Sequence, residues 1–175
     1  MLRGMILAGC AAGCAMLAPA LAQVAAESCP PSSAAPLPAE LAAWTSRSPA
    51  VAAADSKALA GAMLSPGRAV DARLSPTGSV TYAVRPEKPG GSVSHGGLFA
   101  FTVAQAGTYR VALGSGAWID LLKGRTVIAS RAHGHGPACS GIRKMVDFPL
   151  KPGRYILQIA GNGDAVLPLM VTRLP

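Results

Sequence analysis

The chain has 175 residues, 16 Lys or Arg against 8 Asp or Glu for a formal net charge of +8, and only 5% aromatic residues. That length supports one hydrophobic core rather than two. After the N-terminus no stretch reaches the roughly 18 uninterrupted apolar residues of a spanning helix, because Gln105, Arg110 and Asp120 break the most apolar region.

Residues 1–22 read as a secretory signal. Arg3 opens a short positive start, residues 5–17 are almost wholly small or apolar, and Ala20-Leu21-Ala22 is an A-x-A cleavage pattern. The mature chain is then expected to begin at Gln23, and the loss of Arg3 takes its net charge from +8 to +7. Leu7-Ala8-Gly9-Cys10 resembles the lipobox of bacterial lipoproteins, and processing there would instead leave a lipid anchor on Cys10. Cleavage after Ala22 removes Cys10 and Cys14 and leaves an even pair, Cys29 and Cys139, suited to an oxidising compartment. A Cys29–Cys139 disulfide is therefore expected, with a periplasmic or secreted location; two unrelated thiols are the alternative. The positive charges are scattered, Arg143-Lys144 being the only adjacent pair, and few aromatics stand among them, so nucleic acid is not an expected partner. A mild surplus on an exported chain fits attraction to the anionic cell envelope, and an envelope ligand or protein is the expected partner.

Residues 23–50 are rich in Ala, Pro and Ser and read as an irregular, extended arm in which only 38–44 has the composition of a helical turn, with Pro38 at its start. Residues 51–64 are Ala-rich and fit helix or strand alike. Residues 68–74 alternate Val70, Ala72 and Leu74 with Asp71 and Arg73, a strand pattern. The 85–92 segment holds two prolines and two glycines and is a loop.

Strands are then expected at 98–103, 108–113, 117–122, 126–130, 143–148, 154–160 and 166–173. Two of them share one signature, a glycine turn feeding an alternating strand: Gly107-Thr108-Tyr109 followed by Val111 and Leu113, and Pro152-Gly153-Arg154-Tyr155 followed by Leu157 and Ile159. In each, the tyrosine and the two aliphatics fall on one face. Lys123-Gly124 marks a hairpin tip, Asn162-Gly163-Asp164 a similar turn, and Gly114-Ser115-Gly116 a hairpin or bulge. Pro168 places the last strand at an edge or just after a bulge. The expected architecture is a single all-β antiparallel sandwich or jelly roll of about seven to nine strands spanning 51–175.

The sharpest cluster for chemistry is His133-Gly134-His135, since two imidazoles two residues apart on a strand share a face and can chelate one metal. His95 is the only other histidine. Iron or zinc on His95, His133 and His135 is one reading, with Asp120 or Asp147 completing a facial set; the other is a polar loop held by the disulfide. No glutamate follows the His-x-His within Gly136-Pro137-Ala138-Cys139. Cys139 would be a ligand only if it were not bonded to Cys29. Trp118 and Asp120 share a strand face, either as core or as an exposed patch for a sugar ring. Asp120 and Asp147 are expected to pair with Arg110, Arg143, Lys144 or backbone donors. Ser94-His95 lacks the elbow of a serine hydrolase. The expected binding surface comprises His95, the 133–140 loop with His133, His135 and Ser140, and Arg143 and Lys144, polar groups concentrated in the least strand-like segments.

Phe99, Phe101, Gly107-Thr108-Tyr109, Trp118-Ile119-Asp120-Leu121-Leu122 and Pro152-Gly153-Arg154-Tyr155 together resemble the bacterial pre-peptidase C-terminal domain, over less than half of the chain. That resemblance implies a small exported β-sandwich acting as a non-catalytic appendage or binding module. Residues 95–101, 114–120 and 133–148 are similar to short exported alphaproteobacterial proteins that carry the label homogentisate 1,2-dioxygenase. This second resemblance implies a metal-dependent enzyme, a non-haem iron dioxygenase.

Overall fold

The computed structural model describes Cys29 and residues 35–175. The expected signal, with Cys10 and Cys14, and residues 23–28 and 30–34 of the Pro-rich arm lie outside the described residues.

Two six-stranded sheets stack face to face. The first runs β1 (Ser48–Val51), β3 (Ala69–Arg73), β12 (Val166–Arg173), β6 (Gly107–Leu113), β10 (Lys144–Leu150), β9 (Ala132–Gly134). The second runs β2 (Met63–Leu64), β5 (His95–Val103), β11 (Gly153–Asn162), β7 (Trp118–Lys123), β8 (Thr126–Val127), with β4 (Ser75–Pro76) also on β5. This is the expected all-β sandwich. It departs from the expectation in detail: β1–β3 and β2–β5 are parallel, so the sheets are mixed, and there are twelve strands among the described residues. The unexpected β1, β2, β4 and β9 are two to four residues long, too short to carry a readable period, and they form by borrowing the ladder of a longer neighbour.

The two glycine-tyrosine signatures lie in opposite sheets. Tyr109, Val111 and Leu113 of β6 meet Tyr155, Leu157 and Ile159 of β11 in one core, as their alternation requires. Each tyrosine also ties its own turn: Tyr109 Oη donates to the Gln105 carbonyl at 3.0 Å, and Tyr155 Oη to the Lys151 carbonyl at 2.8 Å, four residues back in both cases. A buried ring with its hydroxyl returned to the chain just upstream fixes where the strand enters the sheet. Phe101 stacks on Tyr155 with ring centroids 5.8 Å apart.

Both sheets are also covered outside. Over the first lies a 3-10 helix, Ala39–Thr45, where the 38–44 segment of the arm has the composition of a helical turn, and Pro38 is its N-cap. Three residues per turn align Leu41 with Trp44, and both are buried against Ala69, Ala112, Ile142 and Met170. Cys29 and Cys139 are disulfide-bonded, Cα to Cα 5.5 Å, beside this helix. Closing a loop of that length is worth about 4 to 5 kcal/mol in the chain-entropy account. Over the second sheet lies the 80–84 segment, docked on the fully buried Gln158, whose Oε1 accepts from Ala83 N at 2.8 Å and Val84 N at 3.3 Å and whose Nε2 donates to the Val84 carbonyl at 3.0 Å.

Two turn expectations change. Gly114-Ser115-Gly116 is neither hairpin nor bulge but the passage from the first sheet to the second; a Cβ on Gly114 would come within 2.9 Å of Pro168 Cγ. Pro168 itself lies in β12, between β3 and β6 and not at an edge. It is tolerated because pairing with β6 begins one residue later, at Leu169, so the missing N–H falls where β6 has ended. Lys123-Gly124 is a hairpin tip, Gly124 having φ of 63° between paired Lys123 and Thr126.

Candidate functional site

A sandwich has two lateral margins, and the one bordered by β7 and β8 of the second sheet and β10 and β9 of the first is open. Between them lies a cavity of about 520 Å³. Its floor is apolar because the inward positions of these strands, Ile119, Leu121, Val146 and Phe148, belong to the core. Its outer wall is the 127–130 segment, exposed except at Ile128, which packs against the core. Its rim is polar: Lys88 from the 85–92 loop, Trp118 and Asp120 from β7, His133 from β9 and Lys144 from β10.

Trp118 organises the rim. The indole is half-buried, and Nε1 donates to Asp120 Oδ1 at 3.0 Å. Asp120 Oδ2 accepts from Gln158 Nε2 at 3.0 Å, so both carboxylate oxygens are held by neutral donors rather than by a cation. Two ammonium groups flank the same ring, Lys88 Nζ at 5.4 Å and Lys144 Nζ at 5.8 Å from its centroid, a cation–π arrangement. Lys144 Nζ also donates to the Ala117 carbonyl at 2.8 Å. Burial, and then the neighbouring charge of Lys88, hold the Lys144 ammonium below the usual lysine range. Past the lysines a second hollow of about 270 Å³ continues over Gly90, Gly116 and Gly161, sharing Lys88, Trp118 and Lys144 with the first.

The expected site residues are divided by the fold. His133 and Lys144 face the groove. His135 lies beyond it, with Nδ1 2.9 Å from the Arg143 carbonyl; a carbonyl only accepts, so Nδ1 carries the proton there. Ser140 belongs to the disulfide loop, its Oγ accepting from Ile142 N at 3.1 Å and its carbonyl from Trp44 Nε1 at 2.9 Å. Arg143 is exposed. His95 opens β5 in the other sheet, opposite Asn162, with a buried Nδ1 that has no hydrogen-bond partner among the described residues. The three histidines therefore do not converge. Among the described residues no three His, Cys, Asp or Glu side chains stand close enough to hold a metal ion, and Cys139 is committed to the disulfide. The donors needed by iron or zinc are not assembled.

Of the expected carboxylate partners, Asp147 takes a bidentate pair from Arg110 at 2.8 Å and 2.8 Å, and this raises the Arg110 pKa further. Asp120 takes none of the expected cations. Lys88 went unforeseen as a site residue. The one signal for it was that recognition residues concentrate in loops, and nothing local points from 88 to 118.

The fold and groove define a double-layered β-sandwich with one open margin. Among solved structures it is similar to the pre-peptidase C-terminal domain of a collagenase from Bacillus anthracis, at 24% identity over 47% of this chain and 81% of that one, with a TM-score of 0.34. The assignment of the sandwich rests on the strand pairings themselves. No family model and no curated protein matches the chain.

Proposed function

We propose that this protein is an exported, non-catalytic β-sandwich module that binds a component of the cell envelope or periplasm in the lateral groove, with residues 1–22 removed on export. The observation that carries the reading is the groove itself: core side chains form its floor, and charged and aromatic side chains converge at its rim, the combination typical of small-molecule sites. The disulfide supports an oxidising compartment, and no helix among the described residues is long and apolar enough to cross a membrane. His133 and Lys144 remain in the proposed site, joined by Lys88, Trp118 and Asp120; His95, His135, Ser140 and Arg143 lie outside the groove.

Nile red, a neutral apolar dye, titrated onto the purified exported protein tests this. Saturable fluorescence enhancement is expected with the native chain. It should be lost in Ala129→Phe, which fills the mouth from an exposed position and leaves the melting temperature unchanged. Enhancement that survives Ala129→Phe, or none with the native chain, overturns the assignment.

A further inference from the structure

The rim of the groove carries a charge imbalance that the protein does not resolve. Among the described residues ion pairs form at Arg47–Asp71, Arg110–Glu40 and Arg110–Asp147, and neither Lys88 nor Lys144 takes part in one. The two nonetheless converge on one indole. Like charges so placed raise each other's energy, and the Lys88 charge adds to burial, the larger cause, in depressing Lys144. Asp120 is the nearby acid on the groove wall, but its oxygens are turned to Trp118 Nε1 and Gln158 Nε2 and it forms an ion pair with neither lysine, so two positive charges stand against one negative. An anion seated between the lysines would relieve the repulsion through charge-assisted hydrogen bonds.

The surroundings define what such an anion is attached to. The lysines and Trp118 stand at the junction of two hollows of opposite character, the larger floored by Ile119, Leu121, Val146 and Phe148, the smaller walled by Gly90, Gly116 and Gly161. A bare inorganic anion would leave the apolar hollow unfilled, and a neutral apolar molecule would leave the lysines unpaired. Resting on the groove as the binding site, we propose that its ligand is an amphipathic anion: a carboxylate or phosphate head held by Lys88 and Lys144 beside Trp118, and an aliphatic or aromatic body lying along the apolar floor.

Competition against bound Nile red tests this, with three probes: dodecanoate, dodecanol of the same chain length without the charge, and acetate as the head alone. Dodecanoate should displace the dye at concentrations at least about tenfold below dodecanol, and acetate should not displace it. Lys88→Met and Lys144→Met, separately and together, should weaken dodecanoate by about tenfold or more while leaving dodecanol unchanged. Lys88→Met alone is a secure variant because Lys88 is exposed on a loop. Co-sedimentation with phosphatidylglycerol vesicles, against phosphatidylcholine vesicles, distinguishes a membrane headgroup from a dissolved amphiphile. Lysine-dependent binding in either arm supports the inference. Equal displacement by dodecanoate and dodecanol, unchanged affinity in the lysine variants, or no displacement by dodecanoate and no vesicle binding overturns it. In those cases Nile red binding that is still blocked by Ala129→Phe leaves the groove standing as a site and removes only the charged ligand.

Discussion

The two margins of this sandwich are crossed in the same way and finished differently. At one, residues 51–64 pass from the first sheet to the second, anchored by Ala52 N to the Arg73 carbonyl at 2.9 Å and Ala53 N to the Leu98 carbonyl at 2.8 Å. At the other, residues 127–132 pass back, anchored by Ile128 N to the Leu121 carbonyl and Arg131 N to the Asp147 carbonyl, both at 2.7 Å. The backbone solution is equivalent. The side chains are not: the first crossing buries Ala52, Ala53, Leu59 and Ala62, whereas Val127, Ala129, Ser130 and Arg131 of the second are exposed. Small apolar residues can be drawn between the sheets at little desolvation cost, but a margin bordered by Lys88, Lys144 and Asp120 cannot close without burying charge. The sealed margin stabilises the fold and the unsealed one is available for binding.

The comparison breaks most severely at Gln158, which underlies the open margin and fastens the segment leading to Lys88. Gln158→Leu strands the amides of Ala83 and Val84, the Val84 carbonyl and one oxygen of Asp120. A loss of about 3 kcal/mol or more is expected, since each buried group left unpaired costs roughly 1 to 3 kcal/mol. Urea unfolding measures it, and dye binding should fall as well because Lys88 and Asp120 both lose their support.

A cavity at the sealed margin sharpens the contrast. Leu59→Ala should cost about 2 to 3 kcal/mol by the same unfolding measurement and leave Nile red affinity unchanged. A change in affinity would mean that the margins are coupled.

The smallest effect on stability is expected from the lysines that matter most for binding. Lys88→Met should lie within about 0.5 kcal/mol of the parent, and Lys144→Met within about 1 kcal/mol, because it gives up the bond to the Ala117 carbonyl while removing a half-buried charge. Their pH dependence carries a sign. Folding depresses the Lys144 pKa, so the unfolded chain holds that proton more tightly, and stability rises as pH climbs through the depressed value toward the ordinary lysine range. Thermal melts from neutral pH to pH ~10 should show this rise in the parent and lose it in Lys144→Met.

Much of the scaffold was legible because its signals are local. Tyr109, Val111 and Leu113, like Tyr155, Leu157 and Ile159, face inward as their spacing requires, β12 occupies the expected 166–173, and Cys29 and Cys139 pair. Pro168 misled because its usual meaning is an edge, and whether β6 runs past that position is a property of register, not of the residue. His133 and His135 misled because strand alternation puts them on one side, while Arg143 binds His135 away from the groove and His95 belongs to the opposite sheet. β1 was missed because four residues at the end of the arm are too few to show a period, and the segment holding β2 fitted helix or strand alike because an alanine-rich stretch offers no contrast between an inward and an outward face.

What the chain fixed by itself was the set of features that operate within a few residues: alternation that commits a strand's face, glycines and tyrosines that set its entry, and a cysteine pair suited to oxidation. What the tertiary structure alone decided was that Lys88, Trp118 and Lys144, from a loop and from strands of two different sheets, converge around one ring. The physical reason is that such a cluster is made by the stacking of sheets, which brings together residues separated by dozens of positions, and no periodicity in the chain records which strands will stand side by side.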